Sequence, residues 1–447
     1  MRFESVGLAV PEIMIPSGES DMNKWAVVAC DQYTSQPEYW KNTEALVGDT
    51  PSTLHIILPE LYLDTPSEPD RIASIHQTMK RYLDQEILTT LGQGFVLVDR
   101  QTANHPSRKG LVVALDLEQY DYSEGSHSLI RATEGTIVSR LPPRMRVRRD
   151  ASLESPHIMV LIDDPEQSVI EPLFNESLPQ IYDFELMQEG GRIKGYLVKQ
   201  KKLLQQVADA LQKLVASRYY AKRYDTQPEN PMLYAMGDGN HSLATAKAIW
   251  EDLKKSQDID TLGSHPARYA LVELVNLHDP GIEFEAIHRV VFKCDPDALL
   301  SGMVKYGNSF DQDIRIIATS SLDAALEIMQ TNASREKHYI VWLHDTKQGV
   351  IEIQPARFSL ETAELQDYLD HFLSHHSSAS IDYIHGEAVV KKLVQNSGNC
   401  GFILPAISKD TFFKTIIQDG VFPRKTFSMG EAHEKRYYIE CRKIIND

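Results

Sequence analysis

The feature that most constrains this chain is a repeated alternation: short runs rich in Val and Ile are separated by amphipathic stretches of helical length. That alternation predicts a mixed α/β fold with mixed sheets. The strand-like runs are WAVVAC, TLHIIL, GFVLVD, GLVVALDL, HIMVLID, MLYAMG, RVVFKC, IRIIAT, YIVWLH, VIEIQ and GFILPA. Helices are expected over 71–89, 199–223, 242–255, 321–332, 360–376, 387–396 and 409–419. In the second of these, Leu203, Leu204, Val207, Leu211, Leu214 and Val215 form one apolar stripe.

At 447 residues the chain exceeds what a single core usually serves, so a two-part architecture is expected. The stretch YDTQPENP, with Pro228 and Pro231, cannot continue a helix and places the expected boundary between an N-terminal domain, 1–227, and a C-terminal domain, 228–447. Residues 296–356 read as helix, strand, helix and a hairpin turning at DTKQG, an inserted subdomain. A formal charge of −17 disfavours broad binding to nucleic acid or anionic membranes. The N-terminal segment is broken by Glu4, Pro11, Glu12 and Pro16, and no run approaches the roughly 18 apolar residues of a membrane helix, so a cytoplasmic protein is expected. Four scattered cysteines, Cys30, Cys294, Cys400 and Cys441, argue against a disulfide framework.

The most informative junction is YAMGDGNHSLATAKAIWE, 234–251. Leu243, Ala246, Ile249, Trp250 and Leu253 recur at helical spacing, so a helix begins within Asn240–Ser242, directly after a strand. Gly237 and Gly239 permit a tight turn and close approach of a ligand. The free amides of a helix start, with the dipole behind them, receive anions. His241 adds a donor, and Asp238 fits such a place if it holds Mg²⁺ beside phosphate oxygens. The competing account is a plain turn in which Asp238 and Asn240 cap backbone groups. No P-loop spacing is present.

Elsewhere, RATEGTIVSRLPPRMRVRRD concentrates arginines in an acidic chain. Arg131 and Glu134 are site candidates, whereas Arg144 to Arg149 read as a solvated stretch paired with carboxylates; on a strand, Arg146 and Arg148 would share a face. His288 and Arg289 open an apolar run, and an arginine fork suits phosphate. Lys425 and Thr426 sit in a turn that could meet phosphate oxygens, with His385 a further candidate. Asp31, ending WAVVAC, is the first candidate for a general base. His371 and His375, four apart, lack a third ligand with motif spacing.

GDGNHSLATAKAIWE, LHDPGIEFEAIHR, IDYIHG and VFPRKTFSMGEAHEKRYY, in that order, together with KWAVVACDQYTSQPEYW and RATEGTIVSRL, resemble the bacterial DUF1015 family, a domain of unknown function. Its members often carry Asp-Gly-His-His-Arg where this chain has Asp238, Gly239, Asn240, His241 and Ser242. That turn is similar to the phosphate-binding turn of the ParB, sulfiredoxin and free-serine-kinase superfamily. The likeness implies an ATP- or ADP-dependent kinase of a small hydroxy metabolite such as free serine, with Mg²⁺. In that scheme Asp238 holds the metal and His241 stabilises the phosphoryl group. Asp31 or Glu134 takes the hydroxyl proton, while Gly239, Asn240, Ser242, Arg131, His288, Arg289, Lys425 and Thr426 bind phosphate or substrate. A metal-dependent phosphomonoester hydrolase and a non-catalytic sensor of a phosphorylated metabolite are the alternatives. The ligand cleft is expected between the two halves, and a homodimer is compatible with the sequence.

Overall fold

The computed structural model describes every residue except 19, 124, 228, 257–261, 264, 333, 335 and 447. The chain forms two compact units, Met1–Glu283 with Gly430–Asp447, and Phe284–Met429. Both are mixtures of helix and sheet, as the alternation predicts.

The first unit is built on an eleven-stranded mixed sheet. Its strands include β1 (Phe95–Gln101), β2 (Arg108–Asp116), β3 (Tyr120–Asp121), β4 (Ile130–Arg131), β5 (Met159–Ile162), β6 (Gln180–Leu186), β7 (Gly191–Val198), β8 (Tyr234–Asp238) and β9 (Tyr269–Asn276). They lie in the order β6-β7-β1-β2-β9-β5-β8-β4-β3. Strand β5 runs parallel to β9 and antiparallel to β8, and β8 is parallel to β4. Both faces are covered, which is why β9 is buried along its whole length. Side-chain alternation divides the two cores. Leu111, Val113 and Leu115 of β2 face the helices α3 (Lys201–Leu214) and α5 (Asn240–Ser256), with Leu203, Leu211, Leu243 and Trp250 opposite them. Val112 packs with Trp25, Trp40, Tyr437 and with Ile75 and Met79 of α1 (Glu68–Asp84) on the other face.

Several local expectations are corrected. A boundary at 227/228 falls inside this unit, because β8, after it, pairs with β5 and β4, before it; Pro228 itself lies outside the described residues. TLHIIL is a 3₁₀ turn over Thr53–Ile56, since the Ser52 hydroxyl accepts the Leu54 amide and the Ser52 and Thr53 hydroxyls donate to the Trp25 carbonyl. WAVVAC runs beside the C-terminal segment, with Tyr438 N–H on the Val27 carbonyl and Ala29 N–H on the Arg436 carbonyl. The long helix from 199 stops at Leu214, and α4 (Ser217–Tyr224) follows after an extended Ala216. Arg146 and Arg148 lie on a helix, α2 (Leu141–Arg148), started by Pro142 and Pro143, rather than on a strand.

The second unit carries β10 (Phe284–Phe292), β11 (Asp313–Ala318), β12 (His338–His344), β13 (Lys347–Gln354), β14 (Ser380–His385), β15 (Cys400–Ile403) and β16 (Phe427–Met429). The order is β11-β13-β12-β15-β10-β14, antiparallel throughout, with β16 against β10. Helices over Pro296–Asn308 and Glu361–His375 cover one face, centred on Leu299, Ile340 and Leu365. Ala325, Val341 and Val390 mark the other. The expected subdomain, 296–356, is part of this unit.

Candidate functional site

Strand β8 delivers the chain to α5 through Gly237, Asp238 and Gly239. Gly239 has φ +81°, and a Cβ there would lie 3.1 Å from the Ile158 backbone, so both conformation and space require glycine. Its amide donates to its neighbour's carboxylate, Asp238 Oδ1, at 2.9 Å, and its carbonyl accepts from the Ser242 and Leu243 amides at 3.0 and 3.1 Å. The Asn240 and His241 amides are left as the donors of this helix start. Asn240 Oδ1 and His241 Nε2 are buried with no hydrogen-bond partner among the described residues.

Burial, with Arg144 and Arg140 nearby, lowers the His241 pKa to about 4. At neutral pH it therefore meets a ligand as an uncharged ring. Lys435 Nζ stands 3.4 Å from Asp238 Oδ2, where the sequence places Mg²⁺. With one oxygen on Gly239 and the other beside an ammonium, Asp238 does not fit a magnesium ligand. Among the described residues no group of three His, Cys, Asp or Glu side chains is placed to hold a metal.

Beside the first turns of α5 lies a pocket of about 150 Å³, contained in the first unit, whose lining takes in neither Asp238 nor Gly239, Asn240 or His241. Ser242 and Thr245 of α5 line it, with His157, Cys30 and Tyr438. Its charged wall is Arg144, whose guanidinium meets both Glu60 oxygens, at 2.8 and 2.5 Å. Arg148 is paired with Glu154 at 2.5 Å. Ile56, Leu58, Met79, Leu153 and Leu271 supply an apolar wall. Positions on both sides of residue 228 thus converge, within one unit. Burial, then Asp31 and Glu60 close by, push the Cys30 thiol up, so it stays protonated.

The other candidates are placed as follows. Asp31 adjoins Cys30 and accepts from the Gln32 amide group at 3.0 Å. The Thr133 hydroxyl donates to the Met236 carbonyl at 2.8 Å, which ties the residue before Glu134 to β8. Arg131 is buried at the opposite end of β8, its guanidinium on the Ser128 and Asn230 carbonyls at 3.0 and 3.3 Å. In the second unit, His288 is buried and accepts from the Leu404 amide at 3.3 Å; burial, then Arg289 and His385, lower its pKa to about 4. Arg289, also buried, donates to the Ile287 carbonyl and to the Arg424 carbonyl at 3.1 Å. Lys425 is exposed at φ +55°, and the Thr426 hydroxyl donates to the Pro423 carbonyl at 2.6 Å.

Sequence reasoning missed His157, Tyr438, Lys435 and the wall role of Arg144 and Glu60. SPHIMVLID offered a signal for His157, a histidine at the mouth of a strand; EKRYYIE offered none beyond its unusual density of polar and aromatic residues.

The geometry defines a mixed α/β protein in which an arginine and a cluster of hydroxyl and imidazole groups, one of them directly after a strand-to-helix turn, line one small pocket. The chain belongs to the family described as protein of unknown function, DUF1015, which matches residues 14–372. Comparison with curated proteins gives no match. Among solved structures it is similar to a free serine kinase in complex with AMP, at 10% identity and TM-score 0.38, over 74% of this chain and 92% of that one. It is also similar to a conserved hypothetical protein from Pyrococcus furiosus, at 11% identity and TM-score 0.36, over 75% and 95% of the two chains. SbnI from Staphylococcus aureus, truncated at its C-terminus, gives 11% identity and TM-score 0.34 over 71% and 82%. Likenesses this shallow carry no chemistry to this chain. No helix among the described residues is long and apolar enough to cross a membrane.

Proposed function

We propose that the pocket beside α5 handles a phosphoryl group on a small metabolite. In this reading the protein is a phosphotransferase from ATP or ADP to a small hydroxy compound, with free serine the first acceptor to test. The observation that carries it is that Ser242 and Thr245, directly after the α5 start, line one pocket with Arg144. Amides at a helix start and a guanidinium are the two protein groups best suited to phosphate oxygens. A volume of about 150 Å³ lies well below the roughly 300–1,000 Å³ of pockets for drug-sized ligands. It suits a phosphoryl group with a few-atom body, and a nucleotide by its phosphates only. Asp31, beside Cys30, and Glu134, next to Thr133, are the carboxylates assigned to take the acceptor's proton, and His241 meets the transferred group as a neutral ring.

Phosphorus NMR of the protein with ATP or ADP, Mg²⁺ and a panel of hydroxy acids tests this. A phosphorylated acceptor should appear, and Asp238→Ala, which loosens the Gly239 turn, should abolish it. No product above the Asp238→Ala background, together with no binding of inorganic phosphate by calorimetry, would overturn the reading. Phosphate release without an acceptor would instead favour a phosphomonoester hydrolase at the same pocket.

A further inference from the structure

A chain of side-chain hydrogen bonds ends on the Ser242 hydroxyl. Ser242 Oγ lies 2.9 Å from His157 Nε2, and His157 Nδ1 lies 2.8 Å from Tyr438 Oη. The three residues are far apart in sequence, yet all line the pocket, as does Cys30. Ser242 is the third residue of α5, past the N-cap position at which a serine hydroxyl would serve the helix start.

The far end of this chain is the Tyr438 phenol. The Cys30 amide donates to Tyr438 Oη at 3.3 Å. Burial, then the neighbouring Cys30 and Asp31, keep that phenol protonated. In the tautomer where that oxygen accepts the Nδ1–H, the basic nitrogen of His157 is Nε2. Nε2 then presents its lone pair to the Ser242 O–H. A hydroxyl, a base and a group that orients the base stand in the order used for nucleophilic catalysis. Both His157 and Tyr438 are buried, so the imidazole has little freedom to turn away.

We propose that Ser242 is a nucleophile that carries the phosphoryl group covalently, with His157 as its base and Tyr438 as the residue positioning His157; this rests on the phosphoryl reading of the same pocket. Ser242 Oγ attacks phosphorus, the Oγ–P bond forms, and the bond from phosphorus to the donor's oxygen breaks. The serine proton passes to His157 Nε2 and from there to the departing oxygen. The acceptor hydroxyl, or water, then attacks the phosphoserine while His157 takes its proton, in place of the Asp31 or Glu134 of a direct transfer, and Ser242 leaves with a proton returned by the imidazolium. Overall one P–O bond is exchanged for another and no oxidant or reductant is needed.

The test uses the full chain and a fluorophosphonate probe, which forms the same Oγ–P bond with loss of fluoride. Peptide mass spectrometry should place one label on Ser242 of the folded protein. His157→Gln should slow labelling by about 10²-fold or more, the usual contribution of a general base, and Tyr438→Phe should slow it less, with the melting temperature of each variant recorded alongside. A comparison needing no variant settles the matter if His157→Gln does not fold: labelling of Ser242 in the native protein no faster than in urea-unfolded protein overturns the proposal. Phosphoryl turnover that persists in Ser242→Ala also overturns it and leaves the phosphotransferase reading standing. Rapid labelling of Ser242 with neither phosphate binding nor phosphoryl product would instead remove the phosphoryl chemistry and leave a nucleophilic serine.

Discussion

Arg436→Met is the perturbation most directly priced by this structure. Arg436 is almost wholly buried and shared between two buried carboxylates, Glu273 and Glu440, the second at 2.5 Å, while its Nε donates to the Pro156 carbonyl at 3.1 Å. Burial opposes its charge, and the two carboxylates outweigh that and raise its pKa. Tyr182 donates to Glu440 at 2.5 Å, so Glu440 keeps one partner in the variant, but among the described residues no second cation forms an ion pair with Glu273. Removing one member of a buried ion pair typically costs about 3–5 kcal/mol, because the remaining charge has no counter-charge. Here one cation serves two anions, so a loss of at least about 4 kcal/mol is expected, a large share of a total stability of about 5–15 kcal/mol. Urea unfolding followed by tryptophan fluorescence measures it, with Trp25, Trp40 and Trp250 reporting on this unit. Combining Arg436→Met with Glu273→Gln and Glu440→Gln should recover part of the loss, since neutral amides need no cation. A single variant within about 1 kcal/mol of the parent, or a triple variant no more stable than the single one, would refute the charge argument.

Three further outcomes are expected. His241, His288 and His338 each have a pKa lowered from 6.5 to about 4, chiefly by burial; the unfolded chain therefore takes up protons first as pH falls, and stability should drop between about pH 6.5 and 4, with a shallower slope in His338→Asn urea melts. Because Lys435 already faces Asp238, calorimetric binding of inorganic phosphate should be unchanged by EDTA, and a tenfold weakening would contradict that placement. Gly239→Ala forces a side chain into a left-handed backbone against Ile158, which should lower stability by about 1–2 kcal/mol in thermal melts and abolish phosphate binding.

How legible the molecule is in its sequence depends on whether a signal is local. Strands such as β5, β8 and β12 and the helix start at Asn240 are written in periodicity and turn residues. The hairpin of β6 and β7 was missed because its strands mix Gln, Asp, Lys and Gly into a weak alternation. TLHIIL has strand composition, yet two hydroxyl bonds to one carbonyl decide its form. At the site, Asp238, Gly239, His241 and Ser242 were legible because the turn itself demands them. His157, Lys435 and Tyr438 were not, since their roles exist only after β5 and the C-terminal segment are laid against α5. Arg131 and Arg289 are legible as charged residues, but not the backbone carbonyls that their guanidinium groups meet in the interior.

The split of the first unit around Phe284–Met429 bears on how the protein is made. Gly430–Asp447 supplies Lys435, Arg436 and Tyr438 and pairs with strands near the opposite terminus, Tyr437 with Val28 and Cys441 with Met14. A growing polypeptide on the ribosome has therefore emitted every residue of the intervening unit before it holds the pieces that close its own pocket, so competence arrives late and all at once.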